Sequence, residues 1–334
     1  MVKIGYAAHL EQYTPLQLLE NAVRAELAGF DSIWAADHFH PWVHRNGQSG
    51  FAWVWVASAA ERTRNVRIGT AVTAPILRYN PAIVAQAFAT LGSMYPGRIT
   101  LGLGTGEPLN EMPVGFEWPP FEERAQRVEE AIKIINSLWT SERVTFKGKY
   151  YSLRKATLYT KPETKVAMYV AGNGARLALI AGRYADGFIT SGTIEREHVA
   201  KVLFPALEKG ARMAGRDPAN LKKVVEVFVS YADKFDKALA SARYWAPVLL
   251  PIWWKYPIYD PVEIEACGEE VGNEQLVKAW CISSSTEDHI KNLERFVKAG
   301  FDEIYVSSAS PDQKEFIDVY GKMVLPHVKH EAFT

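Results

Sequence analysis

Short β-branched and apolar segments alternate with amphipathic helical segments along almost the whole chain of 334 residues. This alternation is typical of repeated βα units, whose strands form one parallel sheet. Eight segments have the composition of strands, and they lie at 3–8, 32–37, 66–74, 99–106, 166–172, 187–192, 224–232 and 303–309. Eight strand–helix pairs predict an α/β fold of the closed (β/α)8 TIM barrel type rather than an open doubly wound sheet.

Two connections are longer than the others, after the fourth and the seventh predicted strand. The first contains FKGKYYSLRKATLYTKP, whose alternating aromatic and polar residues predict a hairpin insertion near 144–160. The second, near 245–273, is rich in Trp, Tyr and Pro and has little helical periodicity. We predict an aromatic loop insertion there, which is either a lid or an ordinary packed insertion or dimer surface. The whole chain, 1–334, is predicted to be one barrel domain.

The chain carries 38 basic and 38 acidic side chains, so its formal net charge is zero. Such a chain has no long-range field to attract nucleic acid or an anionic membrane, and we expect a small-molecule substrate. Cys267 and Cys281 are the only cysteines, too few for a disulfide scaffold and without a metal-ligand spacing. Because the N-terminal residues lack a signal-peptide core and no segment suffices for a membrane span, we predict a cytoplasmic protein.

The reactive side chains of a (β/α)8 barrel gather at the carboxyl ends of its strands. Asp37 and His38 end or follow the second predicted strand, and Trp42 comes shortly after them. His38 is the strongest candidate, because imidazole exchanges protons near neutral pH and Asp37 could orient it. A histidine beside an aspartate is also common as a structural pair. We favour a reactive His38 because Trp42 and Glu107 are expected at the same barrel mouth.

Glu107 lies in GLGTGEPLNE after the fourth predicted strand, where glycines allow a ligand to approach the backbone. A carboxyl group in an enclosed site can have its pKa raised enough to donate a proton. The alternative roles of Glu107 are helix capping and pairing with Arg78 or Arg124. His40 and His44 raise the question of a metal, but we predict no metal site, because no second cluster of ligands accompanies them.

Two glycine-rich turns could bind phosphate. GLGTGEPLNE lacks the GxGxxG spacing, so a nicotinamide-binding Rossmann domain is disfavoured. AGNGARLALIAG places small residues at the start of a helix, where free backbone N–H groups suit a phosphate. Turns of this composition are also common without a ligand, so composition alone leaves both alternatives open.

Taken together, these segments resemble the bacterial luciferase-like superfamily, and within it the branch that uses the deazaflavin coenzyme F420. The segments that carry the resemblance are LEQYTP at 10–15, DHFHPW at 37–42, RYNPAIVAQAFATL at 78–91, MYPGR at 94–98, GTGEPLNE at 104–111, FKGKYYSL at 146–153 and WAP at 245–247. The resemblance implies a (β/α)8 barrel, coenzyme F420 as the cofactor and, as is common in the family, a homodimer.

The resemblance also implies roles for individual residues. His38 matches the base that removes the substrate's hydroxyl proton, Trp42 the indole that hydrogen-bonds the substrate oxygen, and Glu107 the acid beside the deazaflavin ring. The positions that match contacts to the cofactor are Asp37, Ala71, Val72, Gly106, Asn110, Ala171, Gly172, Asn173 and Gly174. Of these, Ala71 and Val72 fall where the family has a non-proline cis peptide, and the turn at 171–174 matches contacts to the phosphate-bearing tail.

The substrate prediction depends on a departure from one group of this branch. Its glucose-6-phosphate dehydrogenases hold the phosphate with two lysines and an arginine, whereas the matching positions here are Ile194 or Thr193, Lys255 and Ala279. Because charged contacts to phosphate are strong, the loss of two of them should remove most of the affinity for a phosphorylated sugar. The pattern is closer to the F420-dependent secondary alcohol dehydrogenases.

We therefore predict hydride transfer between a small secondary alcohol, such as 2-propanol, and coenzyme F420. Trp245 and Lys255 are the predicted substrate-binding residues. A sugar-phosphate dehydrogenase is the first alternative, and an FMN-dependent monooxygenase of the wider superfamily is the second.

Overall fold

Eight parallel strands close into a barrel in this computed structural model, which describes residues 1–254 and 256–330. Around the barrel the order is β1, β2, β3, β4, β7, β8, β9 and β11, and β11 pairs with β1. The strands are β1 (Lys3–Ala8), β2 (Ser32–Ala35), β3 (Arg67–Thr73), β4 (Ile99–Leu103), β5 (Val144–Lys147), β6 (Ser152–Ala156), β7 (Ala167–Ala171), β8 (Gly187–Ser191), β9 (Lys222–Tyr231), β10 (Cys281–Ser283) and β11 (Glu303–Ser308). The predicted (β/α)8 TIM barrel is confirmed.

Helices follow the strands and surround the barrel. The α-helices are α1 (Pro15–Leu27), α2 (Ala52–Arg62), α3 (Pro81–Met94), α4 (Pro108–Glu111), α5 (Phe121–Thr140), α6 (Ala175–Tyr184), α7 (Arg196–His198), α8 (Phe204–Met213), α9 (Phe235–Ala242), α10 (Pro261–Gly268), α11 (Asn273–Ala279), α12 (Thr286–Lys298), α13 (Gln313–Val319) and α14 (Leu325–His330). Short 3₁₀ helices lie at Met112–Val114, Pro218–Asn220, Arg243–Leu249 and Pro251–Trp254, and π-helical turns lie at Val199–Leu203 and Tyr320–Val324.

Local sequence signals fix where the helices near the barrel mouth begin. Thr14 caps α1 in a capping box with Gln17, and Pro15 occupies the first turn, where its missing N–H costs nothing. Asn80 caps α3 in the same way, with its side chain accepting from the backbone N–H of Ala82. These caps end the preceding loops at defined residues, so the loops after β1 and β3 leave the barrel mouth along fixed paths.

Apolar side chains of the described residues form three packed clusters. The largest includes residues of the strands and of the surrounding helices, and a smaller one around Trp34, Tyr169 and Tyr305 fills the barrel. The third joins Trp42, in the loop after β2, to Trp245 and Trp253. Because burial of aromatic surface is strongly stabilising, this third cluster fixes the segment after α9 against the loop that carries His38.

The two long connections contain regular structure. β5 and β6 form an antiparallel hairpin. The segment near 245–273 is built of short helices instead of the expected irregular loop, and Trp245 and Trp253 in it are fully buried. Its helices escape periodicity arguments because they are short. The two at its start have seven and four residues, with Pro247 inside the first and Pro251 at the beginning of the second. The strand β10, which pairs with the end of β9, was also absent from the expected set.

Candidate active site

His38, Glu107 and Asn110 come together at the carboxyl ends of β2 and β4. The Nε2 atom of His38 lies 3.6 Å from the Oε2 atom of Glu107. Asn110 connects the two, because its Nδ2 atom donates to Glu107 Oε2 at 3.1 Å and lies 3.4 Å from His38 Nδ1. Its Oδ1 atom accepts the backbone N–H of Phe39 at 2.7 Å, which fixes the loop of His38 on α4. The structure thus joins an imidazole and a carboxyl group whose positions in the chain are far apart.

The environment of Glu107 favours its neutral form. Burial raises the pKa of this carboxyl group, and the nearby carboxylates of Glu11 and Glu226 raise it further, although His38 and Arg78 act in the opposite direction. Neither helix capping nor an ion pair with Arg78 or Arg124 occurs at Glu107 among the described residues. Its side chain makes no capping hydrogen bond to α4. Arg124 instead donates to the backbone oxygen of Pro119.

Arg78, which was also expected to pair with Glu107, instead lies beside two other carboxylates. Its guanidinium lies 3.2 Å from Asp37 and 3.5 Å from Glu111. Burial raises the pKa of Glu111 to about 7, with Arg78 limiting the rise. Arg78 therefore neutralises the acids behind the site and leaves Glu107 free to face His38.

Asp37 does not contact His38, contrary to the expectation that it could orient the imidazole. The side chain is buried, and its oxygens accept hydrogen bonds from four side chains, those of Trp53, Thr73, Arg78 and Tyr79. These donors come from α2, β3 and the loop after it, so nothing in the local sequence around Asp37 indicates them. The His38 ring is oriented instead by Asn110 and by the carbonyl oxygen of His40, which lies 3.2 Å from His38 Nδ1.

Trp42 lies beside this pair with its ring centroid 6.1 Å from that of His38. The same ring lies 6.1 Å from that of Trp253, in the segment after α9. The indoles of Trp53, Trp245 and Trp253 each donate to a protein oxygen, whereas that of Trp42 has no acceptor among the residues that the structure describes. A ligand oxygen near His38 could therefore receive this N–H.

His9 and Glu11, which follow β1, were missed in the sequence although the same rule applies to them. Both are buried, and His9 Nδ1 lies 3.5 Å from Glu11 Oε1. Neither ring nitrogen of His9 has a hydrogen-bond partner in the described part of the chain, and nor does Glu11 Oε2. Burial opposes ionisation of Glu11, but His38 and His9 outweigh it and lower its pKa. Burial thus favours the neutral form of Glu107, whereas the neighbouring histidines favour the ionised form of Glu11.

The expected substrate-binding residues are less exposed to a ligand than the sequence suggested. Trp245 is fully buried, donates to Gln12 at 3.0 Å and packs against His9 with ring centroids 4.4 Å apart. Lys255 lies outside the described residues. Thr193, Ile194 and Ala279 line a cavity beside the barrel mouth.

The expected cofactor positions lie at the ends of β3, β4 and β7. The peptide between Ala71 and Val72 is cis, as the resemblance implied. Gly106 has a φ of +70°, which a residue with a side chain would rarely adopt. The turn Ala171, Gly172, Asn173 and Gly174 leads into α6, and a Cβ atom on Gly174 would meet no atom within 4 Å. The Oδ1 atom of Asn173 is already used, since it accepts from Thr190 and from the backbone of Ser191.

The described residues contain neither a metal-binding cluster nor a helix that could span a membrane. In 1–254 and 256–330, no three or more His, Cys, Asp or Glu side chains are grouped so that they could bind a metal ion. Over the same ranges, every helix is too short or too polar to cross a membrane.

Comparison with known proteins extends over nearly the whole chain. The model of the luciferase-like monooxygenase family matches residues 2–303. A relative named F420-dependent glucose-6-phosphate dehydrogenase, from Intrasporangium calvum, is 42% identical over 98% of this chain and 99% of its own. One of the same name from Microbacterium testaceum is 42% identical over 98% of each chain.

The solved structures give a second comparison. A structure described as an F420-dependent secondary alcohol dehydrogenase in complex with an F420–acetone adduct has a TM-score of 0.94 and 43% identity, and the match covers 98% of this chain and 99% of the other. The coenzyme F420-dependent tetrahydromethanopterin reductase from Methanopyrus kandleri, with a TM-score of 0.80 and 21% identity over 98% of this chain and 99% of the other, shares the fold.

Proposed function

The chain belongs to the luciferase-like monooxygenase family and is an F420-dependent oxidoreductase, and from this premise we propose that it oxidises a secondary alcohol to the ketone. The observation that carries the proposal is the contact between His38 and Glu107 at 3.6 Å, bridged by Asn110. An imidazole beside a carboxyl group with a raised pKa suits a reaction that removes one proton and supplies another.

The residues present fit a deazaflavin coenzyme. When bound, coenzyme F420 supplies the hydride acceptor for the carbinol carbon of the substrate. Glu107, whose pKa is raised by burial, would hold a proton beside the ring, and Asn110 would fix its carboxyl group. Gly174, with open space where a side chain would be, leaves the N-terminus of α6 accessible to a phosphate of the coenzyme's tail. Ala71, Val72 and Gly106 would line the ring.

Three side chains have separate roles in the reaction of the alcohol group. His38 accepts the hydroxyl proton through Nε2, the ring nitrogen that faces Glu107, whereas Nδ1 lies 3.2 Å from the His40 carbonyl oxygen. Trp42 donates its indole N–H to the substrate oxygen as negative charge develops there. Glu11, held ionised near His38, stabilises the protonated imidazole that forms. Trp245 acts indirectly, by packing against His9.

The choice of a simple alcohol over a sugar phosphate depends on Ile194 or Thr193 and on Ala279. These residues match positions where the sugar-phosphate enzymes of the branch, as the resemblance implies, carry cations, and none of the three side chains has a charge that could pair with a phosphate dianion. A glucose-6-phosphate dehydrogenase remains the second candidate, because relatives of that name are 42% identical to this chain, close to the 43% of the alcohol dehydrogenase structure.

A substrate panel tests the proposal. The purified protein, loaded with oxidised coenzyme F420, is given 2-propanol or glucose 6-phosphate, and loss of the visible absorbance of the coenzyme is followed. We expect turnover with 2-propanol and a kcat/KM for glucose 6-phosphate at least about tenfold lower, since each lost charged contact is worth about 1.5–3 kcal/mol. Turnover of glucose 6-phosphate alone would establish the second candidate instead.

A further inference from the structure

A carboxyl group that the proposed reaction does not use, that of Glu226, points into the barrel from β9. Side chains of a strand alternate between its two faces, so Glu226 shares the inward face of β9 with Val224 and Phe228. Val224 belongs to the apolar cluster that fills the barrel, and Phe228 packs against the ring of His9. Glu226 therefore lies one layer above the apolar filling, towards the carboxyl ends of the strands.

The side chain of Glu226 is accessible from the barrel mouth. The residue is half-buried although it points inward. Below it, the apolar cluster around Trp34 and Tyr305 closes the barrel. Solvent therefore reaches Glu226 through the mouth, where the side chains of His38 and Glu107 are 13% and 23% exposed. Glu226 thus forms part of the floor of the candidate active site.

The hydrogen bonds of Glu226 within the protein leave part of its carboxyl group available. The Oγ atom of Ser307 donates to its Oε1 atom at 2.6 Å, and Tyr305 is the other hydrogen-bonding neighbour. A carboxylate has about four acceptor positions, so these two neighbours do not use all of them. Burial raises the pKa of Glu226, although Ser307 and His9 act in the opposite direction. A hydroxyl group of a substrate would add a hydrogen bond where the carboxyl group is shielded from water.

His9 gives a second, independent indication of a polar ligand on this side of the mouth. Its side chain is more than nine-tenths buried, and neither ring nitrogen has a partner in the described parts of the chain. Its ring centroid lies 5.9 Å from that of Phe228, which follows Glu226 by two residues on the same face of β9. Because buried polar groups are nearly always hydrogen-bonded, a ligand group near Glu226 that also reaches His9 would satisfy both.

An alcohol with one hydroxyl group would leave Glu226 and His9 unused. Under the proposed function, that hydroxyl group is bound by His38 and Trp42, which follow β2. The strands β1 and β11 lie between β2 and β9 in the barrel, so Glu226 faces the substrate from a different side. A site with buried polar groups discriminates against a substrate that cannot pair with them.

We propose that Glu226, together with His9, is a specificity-determining residue that binds a second hydroxyl group of the substrate, and that the substrate class is a small secondary alcohol with a further hydroxyl group, such as a 1,2-diol. The inference rests on the proposed function and names its substrate more closely. Such a substrate needs no cationic side chain, unlike a sugar phosphate. The reaction is unchanged: the C–H bond gives hydride to the coenzyme, the proton of the reacting hydroxyl group goes to His38, and the second hydroxyl group is not altered.

Two alcohols of equal size isolate the contribution of the second hydroxyl group. They are 1,2-propanediol and 2-butanol, which differ only in a hydroxyl group in place of a methyl group and are compared enantiomer by enantiomer. With the coenzyme-loaded protein, we expect kcat/KM for 1,2-propanediol to exceed that for 2-butanol by about tenfold, the usual worth of a hydrogen bond to a buried polar group.

Two variants locate this preference at Glu226. Glu226→Leu replaces the carboxyl group by an apolar group and should lower the ratio of kcat/KM for 1,2-propanediol over 2-butanol to about unity or below. Glu226→Gln keeps an acceptor and should retain a ratio above unity. Glu270→Leu, in the exposed turn after α10, is the control and should keep the wild-type ratio. An equal loss for both alcohols in Glu226→Leu would assign Glu226 to the fold or to the coenzyme and overturn the inference.

Binding to the protein loaded with reduced coenzyme, which cannot accept hydride, gives a readout without turnover. Saturation-transfer NMR should give a lower Kd for 1,2-propanediol than for 2-butanol in wild type, and similar Kd values for the two in Glu226→Leu. Failure of both alcohols to react would count against the proposed function, whereas preferential binding of the diol would still support the second-hydroxyl site. Equal kcat/KM and equal Kd for the two alcohols in wild type would overturn the inference.

Discussion

The imidazole of His38 and the carboxyl group of Glu107 face each other across 3.6 Å, although 68 residues separate them in sequence and different strands carry them. Asn110 contacts both side chains and also holds the backbone of the His38 loop. Since one residue contacts both partners, side chains of the protein itself set their relative position.

The first prediction concerns His38 as the base. His38→Ala should lower kcat/KM for 2-propanol by about 10²–10⁴-fold, the usual contribution of a positioned general base. Coenzyme binding should change little, because Glu107 and the turn before α6 are untouched. Steady-state assays and a coenzyme titration measure the two effects. His44→Ala, an exposed histidine of the same loop, is the control and should behave as wild type. Full activity in His38→Ala would exclude the assigned role.

The second prediction concerns Trp42. Trp42→Phe keeps an aromatic ring but removes the N–H, so kcat/KM should fall by about 10²-fold if that donor stabilises charge on the substrate oxygen. Trp139→Phe removes an indole N–H that donates to the Ala85 carbonyl on the outside of the barrel, and it should leave the activity near wild type. A normal kcat/KM in Trp42→Phe would assign the indole to packing alone.

The third prediction concerns the pH dependence of alcohol oxidation. Because burial raises the pKa of Glu107, its proton is retained to higher pH than in an ordinary glutamic acid, and activity that needs this proton should decline as pH rises through the raised pKa. Glu107→Gln cannot donate a proton, so it should have a low kcat and no such decline. Rate profiles of both proteins test this, with Glu117→Gln, exposed in the loop after α4, as the control. An identical alkaline decline in Glu107→Gln would place the titrating group elsewhere.

The barrel and part of the site could be predicted from the sequence for a simple physical reason. Strand composition and helix periodicity are local properties, so eight βα units were visible, and the fold then placed His38 and Glu107 at one mouth. The same rule would have found His9 and Glu11, which directly follow β1.

Other features depend on contacts between distant parts of the chain. The four donors to Asp37 lie between 16 and 42 residues away from it, and only the tertiary structure shows that they saturate its carboxylate. The cavity lined by Thr193, Ile194 and Ala279 likewise forms between separate helices, and no segment of the sequence encodes it alone.

The last prediction concerns Glu111, which shares Arg78 with Asp37. Asp37 is the nearer of the two acids, at 3.2 Å against 3.5 Å, and burial raises the pKa of Glu111 from 4.5 to about 7. A carboxyl group whose pKa is higher in the folded state stabilises that state most below pH 4.5, and this stabilisation is lost as pH rises through about 7. Over this pH range the free energy of unfolding should fall by on the order of 3 kcal/mol. Glu111→Gln has no charge to bury, so its free energy of unfolding, measured with urea at pH 5 and pH 8, should fall less over that interval than that of wild type. Glu20→Gln, on the surface of α1, is the control, and its free energy of unfolding should change between pH 5 and pH 8 as that of wild type does. The same change in Glu111→Gln as in wild type would show that the buried carboxyl group titrates normally.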